Sequence, residues 1–368
     1  MIDFRPARPE DVEQILGLVN YVFRTSSGLE PTMGRQFPTF ICPENASNLY
    51  VAVDNGRIVA HIGIKKNTAI IYGHKVCMAN MGAVCTHPDY QGKGIGTALL
   101  HEVFRNLCEE GIGLVSISGT RGLYKRNSCV EVGETFTYVL EKGKFSYSYK
   151  NLEGIRFYVS EDVDKAEVLF DIYREEPIRY QRTKQEFPVL LKAVPMVHPP
   201  VPALTVVVAS FEEEDTDLAY IIGYEKKPGA FKVVEYAGER MAVVWLIEKL
   251  LHDRGMQEVT LEVPAYDRDL LSILNSARLS CVSSCYPGTT VRIVNKESLW
   301  SDISPIIDEA WNEGVPLPSL AGLPDQVVDD DAKLAQFLFT RFNRPYYGQP
   351  WDQVFPLPLP WPNGLNYI

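Results

Sequence analysis

The chain has no membrane-length apolar run, no CxxC pair and no excess of basic residues. A bilayer-spanning helix needs about 18 or more consecutive apolar residues, so no membrane partner is expected. The seven cysteines (Cys42, Cys77, Cys85, Cys108, Cys129, Cys281 and Cys285) are odd in number and show no framework spacing. With no signal-peptide pattern either, free thiols and a cytoplasmic location are expected. Lys and Arg total 36 against 47 Asp and Glu, a formal net charge of −11. That balance argues against nucleic acid as the main partner, because phosphate contacts require clustered Lys and Arg. It leaves room for a local basic pocket. Two phosphate-binding signatures are missing as well. No Gly-x4-Gly-Lys-Ser/Thr run occurs, and a Gly-x-Gly-x-x-Gly count begun at Gly92 ends on Thr97 rather than on a third glycine.

What is present suits a globular protein. Hydrophobic residues make up 46% of 368 and charged residues 23%, enough for two or three domains with sizeable cores. The most informative stretch runs from Met81 to Leu107. An apolar run leads to a turn at His87-Pro88-Asp89, and Gly92, Gly94 and Gly96 then fall within five residues. Ala98, Leu99, Val103, Phe104 and Leu107 follow at the spacing of one helix face. Alternate glycines leave backbone N–H groups uncovered at a helix N-terminus, where unpaired donors and the helix dipole favour an anion. The order strand, glycine turn, helix predicts a phosphate or pyrophosphate cradle.

The run Gln91-x-x-Gly94-x-Gly96-x-Ala98, placed after a strand and Pro88, resembles the acyl-CoA motif of the GNAT superfamily of N-acetyltransferases. The resemblance implies that acetyl-CoA is the co-substrate and that no metal is used. It puts the CoA pyrophosphate on the loop formed by Gly92, Lys93, Gly94, Ile95, Gly96 and Thr97, with Gln91 in the family's usual first position. Around this loop the chain reads as a GNAT core. A strand from Ile2 is followed by a helix opened by Pro9-Glu-Asp, with Val12, Ile15, Leu16, Val19 and Phe23 on one face. A hairpin turns at Asp54-Asn-Gly, a second turn comes at Gly73-His-Lys, and a strand runs to Val84. Beyond the loop come a strand at Gly113, a short helix through Leu123-Tyr-Lys-Arg and a closing strand at Thr135 to Leu140.

The fold class expected is α/β (α+β), with tandem GNAT-like mixed sheets flanked by helices. A catalytic domain spans 1–145, and Lys142 with the polar-aromatic run after it reads as a linker. The second unit, 151–297, begins near Ile155, has a helix from Asp162 and repeats the order of the first. It offers only Ala237-Gly-Glu-Arg in place of the glycine loop. One glycine beside Glu239 makes a poor anion cradle, so this domain reads as degenerate and without CoA. An extension over 298–368 carries a helix at Trp300 to Trp311, a Pro/Gly-rich link and an amphipathic helix at Ala332 to Arg341. Its aromatic, proline-stiffened end is expected to be docked near the active-site cleft. The acids Asp329-Asp-Asp331 suit the first turn of a helix.

Acetyl transfer to an amine needs a bound thioester, a polarised carbonyl, a neutral amine and a proton for the leaving thiolate. Strand N–H groups near Val84, Cys85 and Thr86 are suited to bond the acyl oxygen and pantetheine, and the resemblance implies the same positions. The segment containing Leu123-Tyr124-Lys-Arg is similar to the family's Leu-Tyr-x-Lys/Arg-x-Gly-Phe, which puts Tyr124 on the general-acid tyrosine. Ser128 and Cys129 depart from the usual Gly-Phe. Tandem GNAT proteins of the enhanced-intracellular-survival type use their own C-terminal carboxylate as base, which here points to Ile368. Glu30, Glu134 or water are the alternatives. His87 reads as a loop residue, and Cys85 as a nucleophile would need an activating neighbour. The expected function is acetyl-CoA-dependent acetylation of a primary amine by direct attack. Small cations and peptides are the substrate classes, and a homo-oligomer is compatible with the sequence. The competing readings are a mycothiol-synthase-like acetyltransferase and an acyl-CoA-binding sensor without transferase activity.

Overall fold

The computed structural model describes residues 2–145, 155–160, 166–197, 204–211, 216–277, 279, 281–311, 320–323, 325–340, 347–348 and 351–368. In chain order it begins with β1 (Asp3–Pro6), α1 (Val12–Phe23), α2 (Met33–Gln36), β2 (Leu49–Asp54), β3 (Arg57–Ile71) and β4 (His74–Thr86). Next are α3 (Ile95–Glu109), β5 (Leu114–Ser118), α4 (Gly122–Lys125), β6 (Val130–Glu131) and β7 (Thr135–Glu141). The middle of the chain forms β8 (Ile155–Ser160), α5 (Ala166–Tyr173), β9 (Ile178–Tyr180), α6 (Glu186–Val197), β10 (Thr205–Phe211) and β11 (Thr216–Lys227). It continues with β12 (Ala230–Gly238), α7 (Arg240–His252), β13 (Glu258–Pro264), α8 (Arg268–Ser276) and β14 (Ser283–Cys285). The last part gives β15 (Thr289–Ile293), α9 (Lys296–Ala310), α10 (Asp325–Val328), α11 (Asp331–Phe339) and α12 (Trp351–Val354).

Two compact units result, and their boundaries differ from those expected. The first contains Met1–Val132, Gly288–Pro360 and Ile368; the second contains Gly133–Pro287 and Trp361–Tyr367. The expected closing strand of the first domain, now β7, pairs antiparallel with β13 from Thr135↔Pro264 to Glu141↔Glu258. It therefore belongs to the second unit. Its place beside β5 is taken by β15, paired from Leu114↔Ile293 to Ser118↔Thr289. The first segment of the first unit thus ends at Val132 rather than at 145, and Gly288–Pro360, which includes most of the expected extension, belongs to the same unit. From 146 to 154 the expected linker lies outside the described residues, as do the start of the helix expected from Asp162, part of the Pro/Gly-rich link and Arg341.

In the first unit the sheet order is β1-β2-β3-β4-β5-β15-β6, with β4–β5 as its parallel pair. Each sheet face is covered because the neighbouring helix keeps its apolar residues on one stripe. On one face α3 buries Leu99, Leu100, Val103, Phe104 and Leu107 against Ile62, Ile64, Val115 and Ile117. On the other, α1 buries Val12, Ile15, Leu18 and Val19 against Phe40, Leu49 and Val51. The hairpin at Asp54 turns through Asn55 (φ 48°) and Gly56 (φ 78°), the paired positive angles that asparagine and glycine tolerate best. Asp330 caps α11 by accepting from the Ala332 and Lys333 N–H groups, the first-turn use expected of the acidic run.

In the second unit the order is β14-β7-β13-β12-β11-β10-β8, with β12–β13 parallel. Its central helix α7 buries Ala242, Val243, Val244, Leu246, Ile247, Leu250 and Leu251. The end of the chain is docked here. Leu365 N–H donates to Glu235 Oε2 at 3.0 Å, Arg182 Nε donates to Asn366 Oδ1 at 2.6 Å and Asn363 Nδ2 donates to Pro287 O at 2.8 Å. Glu235 is itself held by Arg182 through a two-pronged ion pair of 2.8 and 2.7 Å and by the Tyr220 hydroxyl at 2.9 Å. Burial opposes ionisation of Glu235, yet the Arg182 charge and these bonds outweigh it and hold the carboxyl below its usual range.

Candidate active site

The two strands that frame the site separate. β4 and β5 pair only from Met78↔Leu114 to Met81↔Ile117, although β4 continues to Thr86. From Gly82 onward β4 keeps its partner β3 but, among the described residues, pairs with no strand on the β5 side. Alternate N–H groups of Gly82 to Thr86 on that edge are placed to meet a ligand that lies along the strand. Val84, Cys85 and Thr86, the residues expected to bond the acyl group, all lie on this stretch.

The same stretch carries a β-bulge. The β3–β4 ladder runs in register from Ile71↔His74 to Gly63↔Gly82 and resumes at His61↔Cys85. Ala83 and Val84 therefore stand opposite Ile62 alone, and Ala83 takes φ 49°. A bulge re-aims the strand and frees a peptide unit from the ladder. Sequence reasoning missed both the bulge and His61, whose Nδ1 lies 2.9 Å from the Ala83 carbonyl. His61 is fully buried, and burial pushes its pKa down to about 4. The one signal available was a histidine within an otherwise apolar strand.

The glycine turn joins β4 to α3. Gly92 (φ 74°) and Gly94 (φ 77°) occupy the left-handed region, which glycine reaches without a Cβ penalty. Gly94 is the N-cap of α3 and offers no capping side chain, leaving the helix's first N–H groups without an intrahelical acceptor. Gln91 Nε2 donates to the Thr86 carbonyl at 3.1 Å and ties the loop to the end of β4. At Gly96 an added Cβ would lie 3.2 Å from Thr86 Oγ1, so the helix start packs close to the strand. Lys93 Nζ donates to Asp89 O at 2.8 Å and lies 4.9 Å from the Tyr90 ring centroid.

Tyr124 sits in α4, just after β5, and is buried. Burial raises its pKa to about 12, with the charge on Arg121 acting weakly the other way. The hydroxyl is therefore protonated at neutral pH. Ser128, at the family's glycine position, takes φ 56°, and Cys129 packs into the α3 core. The segment's departure from Gly-Phe thus keeps the left-handed turn while the tyrosine stays inside. Burial also holds the Cys85 thiol up at about 12, far from the thiolate that nucleophilic catalysis requires. Ile368 ends against β4. An added Cβ on Gly82 would lie 2.9 Å from the Ile368 carbonyl carbon and 3.1 Å from its oxygen. Of the alternative bases, Glu30 is exposed and 3.7 Å from Arg35, and Glu134 belongs to the second unit. His87 lies in the turn, 2.8 Å from Arg57 Nη2 and stacked on Tyr21.

The corresponding corner of the second unit is filled by its own side chains. β12 and β13 pair only from Ala230↔Glu258 to Lys232↔Thr260. At the start of α7, the Gly238 N–H donates to Glu176 Oε1 at 2.7 Å. Arg240 is paired with Glu176 at 2.7 Å and with Asp267 at 2.9 Å. An internal carboxylate and its ion pairs thus occupy the turn that leads into α7.

Residues 3–128 match the family model "Acetyltransferase (GNAT) domain". The first unit carries a GNAT domain. No curated protein matches the chain. Among solved structures, a conserved Enterococcus faecalis V583 protein described as "Probable N-Acyltransferase" is similar at 17% identity and TM-score 0.66, over 82% of this chain and 75% of that one. Eis1 from Mycobacterium abscessus is similar at 16% and 0.63, over 86% and 78%. A GCN5-related N-acetyltransferase from Anabaena variabilis is similar at 15% and 0.61, over 83% and 74%. These likenesses show the fold: two mixed sheets flanked by helices. No described helix is long and apolar enough to cross a membrane.

Proposed function

We propose that the first unit binds acetyl-CoA and transfers its acetyl group to a primary amine by direct attack. The observation that carries this reading is the open edge of β4 from Gly82 to Thr86 beside the uncapped glycine turn at Gly92–Thr97. Turn amides and the α3 N-terminus suit a pyrophosphate, and strand amides suit an acyl oxygen whose charge grows in the transition state. Gln91 fixes the turn to the strand so that both donor sets keep their spacing. In the reaction the amine nitrogen bonds to the carbonyl carbon and the carbon–sulfur bond breaks. Tyr124 donates its hydroxyl proton to the departing thiolate, and its raised pKa keeps that proton in place until then. The Ile368 carboxylate, whose backbone lies against Gly82, takes the proton lost by the amine. Solvent then returns both groups to their starting states.

The second unit is proposed to bind no CoA, because the turn that leads into α7 already holds Glu176, which accepts the Gly238 N–H and pairs with Arg240. The net charge of −11 favours cationic amines as substrates. The test is release of free CoA thiol with aminoglycosides, polyamines and short peptides, comparing wild type with Tyr124→Phe and with a chain lacking Ile368. Turnover with one amine class, lost in both variants, supports the assignment. Acetyl-CoA binding without turnover on any amine contradicts it, and loss in Tyr124→Phe alone removes Ile368 from the mechanism.

A further inference from the structure

Two costs lie side by side at the bulge. Ala83 is a non-glycine residue at φ 49°, a conformation that L side chains disfavour. Facing it, His61 is fully buried, and its Nε2 has no hydrogen-bond partner among the described residues. Because Nδ1 bonds a carbonyl, Nδ1 carries the proton and Nε2 is left as a bare acceptor. An unpartnered buried acceptor loses its hydration without a hydrogen bond in return. A leucine at position 61 would remove that cost, and it would also remove the side-chain donor that the Ala83 carbonyl has in His61.

We infer that His61 is a positioning residue for the acyl site: its Nδ1–H holds the Ala83 carbonyl and so fixes the bulge that aims the Val84 to Thr86 amides at the thioester. This rests on the acetyl-CoA reading of the first unit. The geometry is local and directional. Ala83 and Val84 stand opposite Ile62, and His61 is the next residue along β3, paired with Cys85 where the ladder resumes. On its other edge, among the described residues, the bulged stretch pairs with no strand beyond the Met81↔Ile117 pair. The His61 bond is therefore what restrains a segment that the sheet itself leaves half supported. Without it, Ala83 relaxes toward ordinary extended angles and the amides rotate with it.

The test compares His61→Leu, which keeps bulk and loses the donor, with His61→Asn, whose Nδ2–H stands near the position of Nδ1–H. Binding of acetyl-CoA and of CoA itself is measured by titration, with turnover and amide hydrogen exchange at residues 83–86 alongside. His61→Leu should lower acetyl-CoA affinity and kcat by roughly 10- to 100-fold, leave CoA affinity within about threefold, and speed exchange at 83–86. His61→Asn should recover most of each loss. Equal losses for acetyl-CoA and CoA, a folded His61→Asn as impaired as His61→Leu, or unchanged exchange would each overturn the role of His61. A wild type that binds neither acetyl-CoA nor CoA would instead overturn the acetyl-CoA reading, and the role of His61 with it.

Discussion

A hydroxyl whose pKa is pushed up to about 12 by burial, as at Tyr124, stays protonated across the range in which an amine nucleophile becomes neutral. The account therefore predicts that kcat rises with pH as the amine and its base deprotonate and shows no fall from Tyr124 ionisation up to about pH 10. Tyr124→Phe should lower kcat by about 10²- to 10⁴-fold with acetyl-CoA affinity within a few-fold of wild type, as single-turnover and titration measurements would read. Burial acts in the other direction on His61, taking it from its ordinary 6.5 down to about 4. Between those values the unfolded chain binds the proton more readily than the folded one. Stability is then full above about pH 6.5 and is lost as pH falls toward 4, by roughly 3 kcal/mol at the lower end. Denaturant melts across that range should show this slope, and His61→Asn should flatten it. A slope unchanged by that substitution would place the acid sensitivity elsewhere.

Among the elements, the glycine turn and α3 were legible because their signals are local. Three glycines in five residues, then an apolar stripe, specify the turn and helix by spacing alone. The short helix α4 around Tyr124 was legible for the same reason, inside a short motif. The bulge was not: nothing in Ala83-Val84-Cys85 marks a left-handed residue, since alanine ordinarily avoids it. The exchange of β7 and β15 was also hidden. Each is a short strand of suitable alternation, and strand partners are chosen by contacts far apart in sequence. The Glu176 carboxylate that takes the Gly238 N–H lies 62 residues from it and was invisible on the same grounds. Two substitutions separate the elements' roles. At Gly94 an added Cβ meets nothing within 4 Å, so Gly94→Ala acts through the backbone, costing about 1 kcal/mol and lowering acetyl-CoA affinity about tenfold as the amides tilt. At Gly113 the added Cβ would lie 2.7 Å from the backbone of Leu299 in α9. Gly113→Ala should therefore lower stability by about 1–3 kcal/mol and leave the affinity of the folded protein unchanged. Thermal melts and titrations on both variants check the pair.

In the whole molecule the two units repeat one order of elements with different corners. Among the described residues the first leaves a strand edge unpaired and a helix N-terminus without a capping side chain; the second fills the turn before α7 with Glu176, Arg240 and Asp267. It also holds residues 361–367 through the buried Arg182–Glu235 pair, whose Glu235 accepts the Leu365 N–H. Glu235→Ala strands Arg182 in a buried site and should destabilise the second unit by about 3–5 kcal/mol. Replacing both members by apolar residues (Arg182→Met with Glu235→Leu) should restore most of that stability while leaving Leu365 free to exchange its amide proton. Hydrogen exchange at Leu365 read beside the melting curve distinguishes the two effects.

The central claim is that one acyl-CoA site exists, in the first unit. Equilibrium titration of acetyl-CoA against the full chain tests it most directly, in wild type and in Gly94→Ala. The account predicts one acetyl-CoA per chain and about tenfold weaker binding in the variant. Two equivalents per chain, or an affinity indifferent to Gly94, would contradict it.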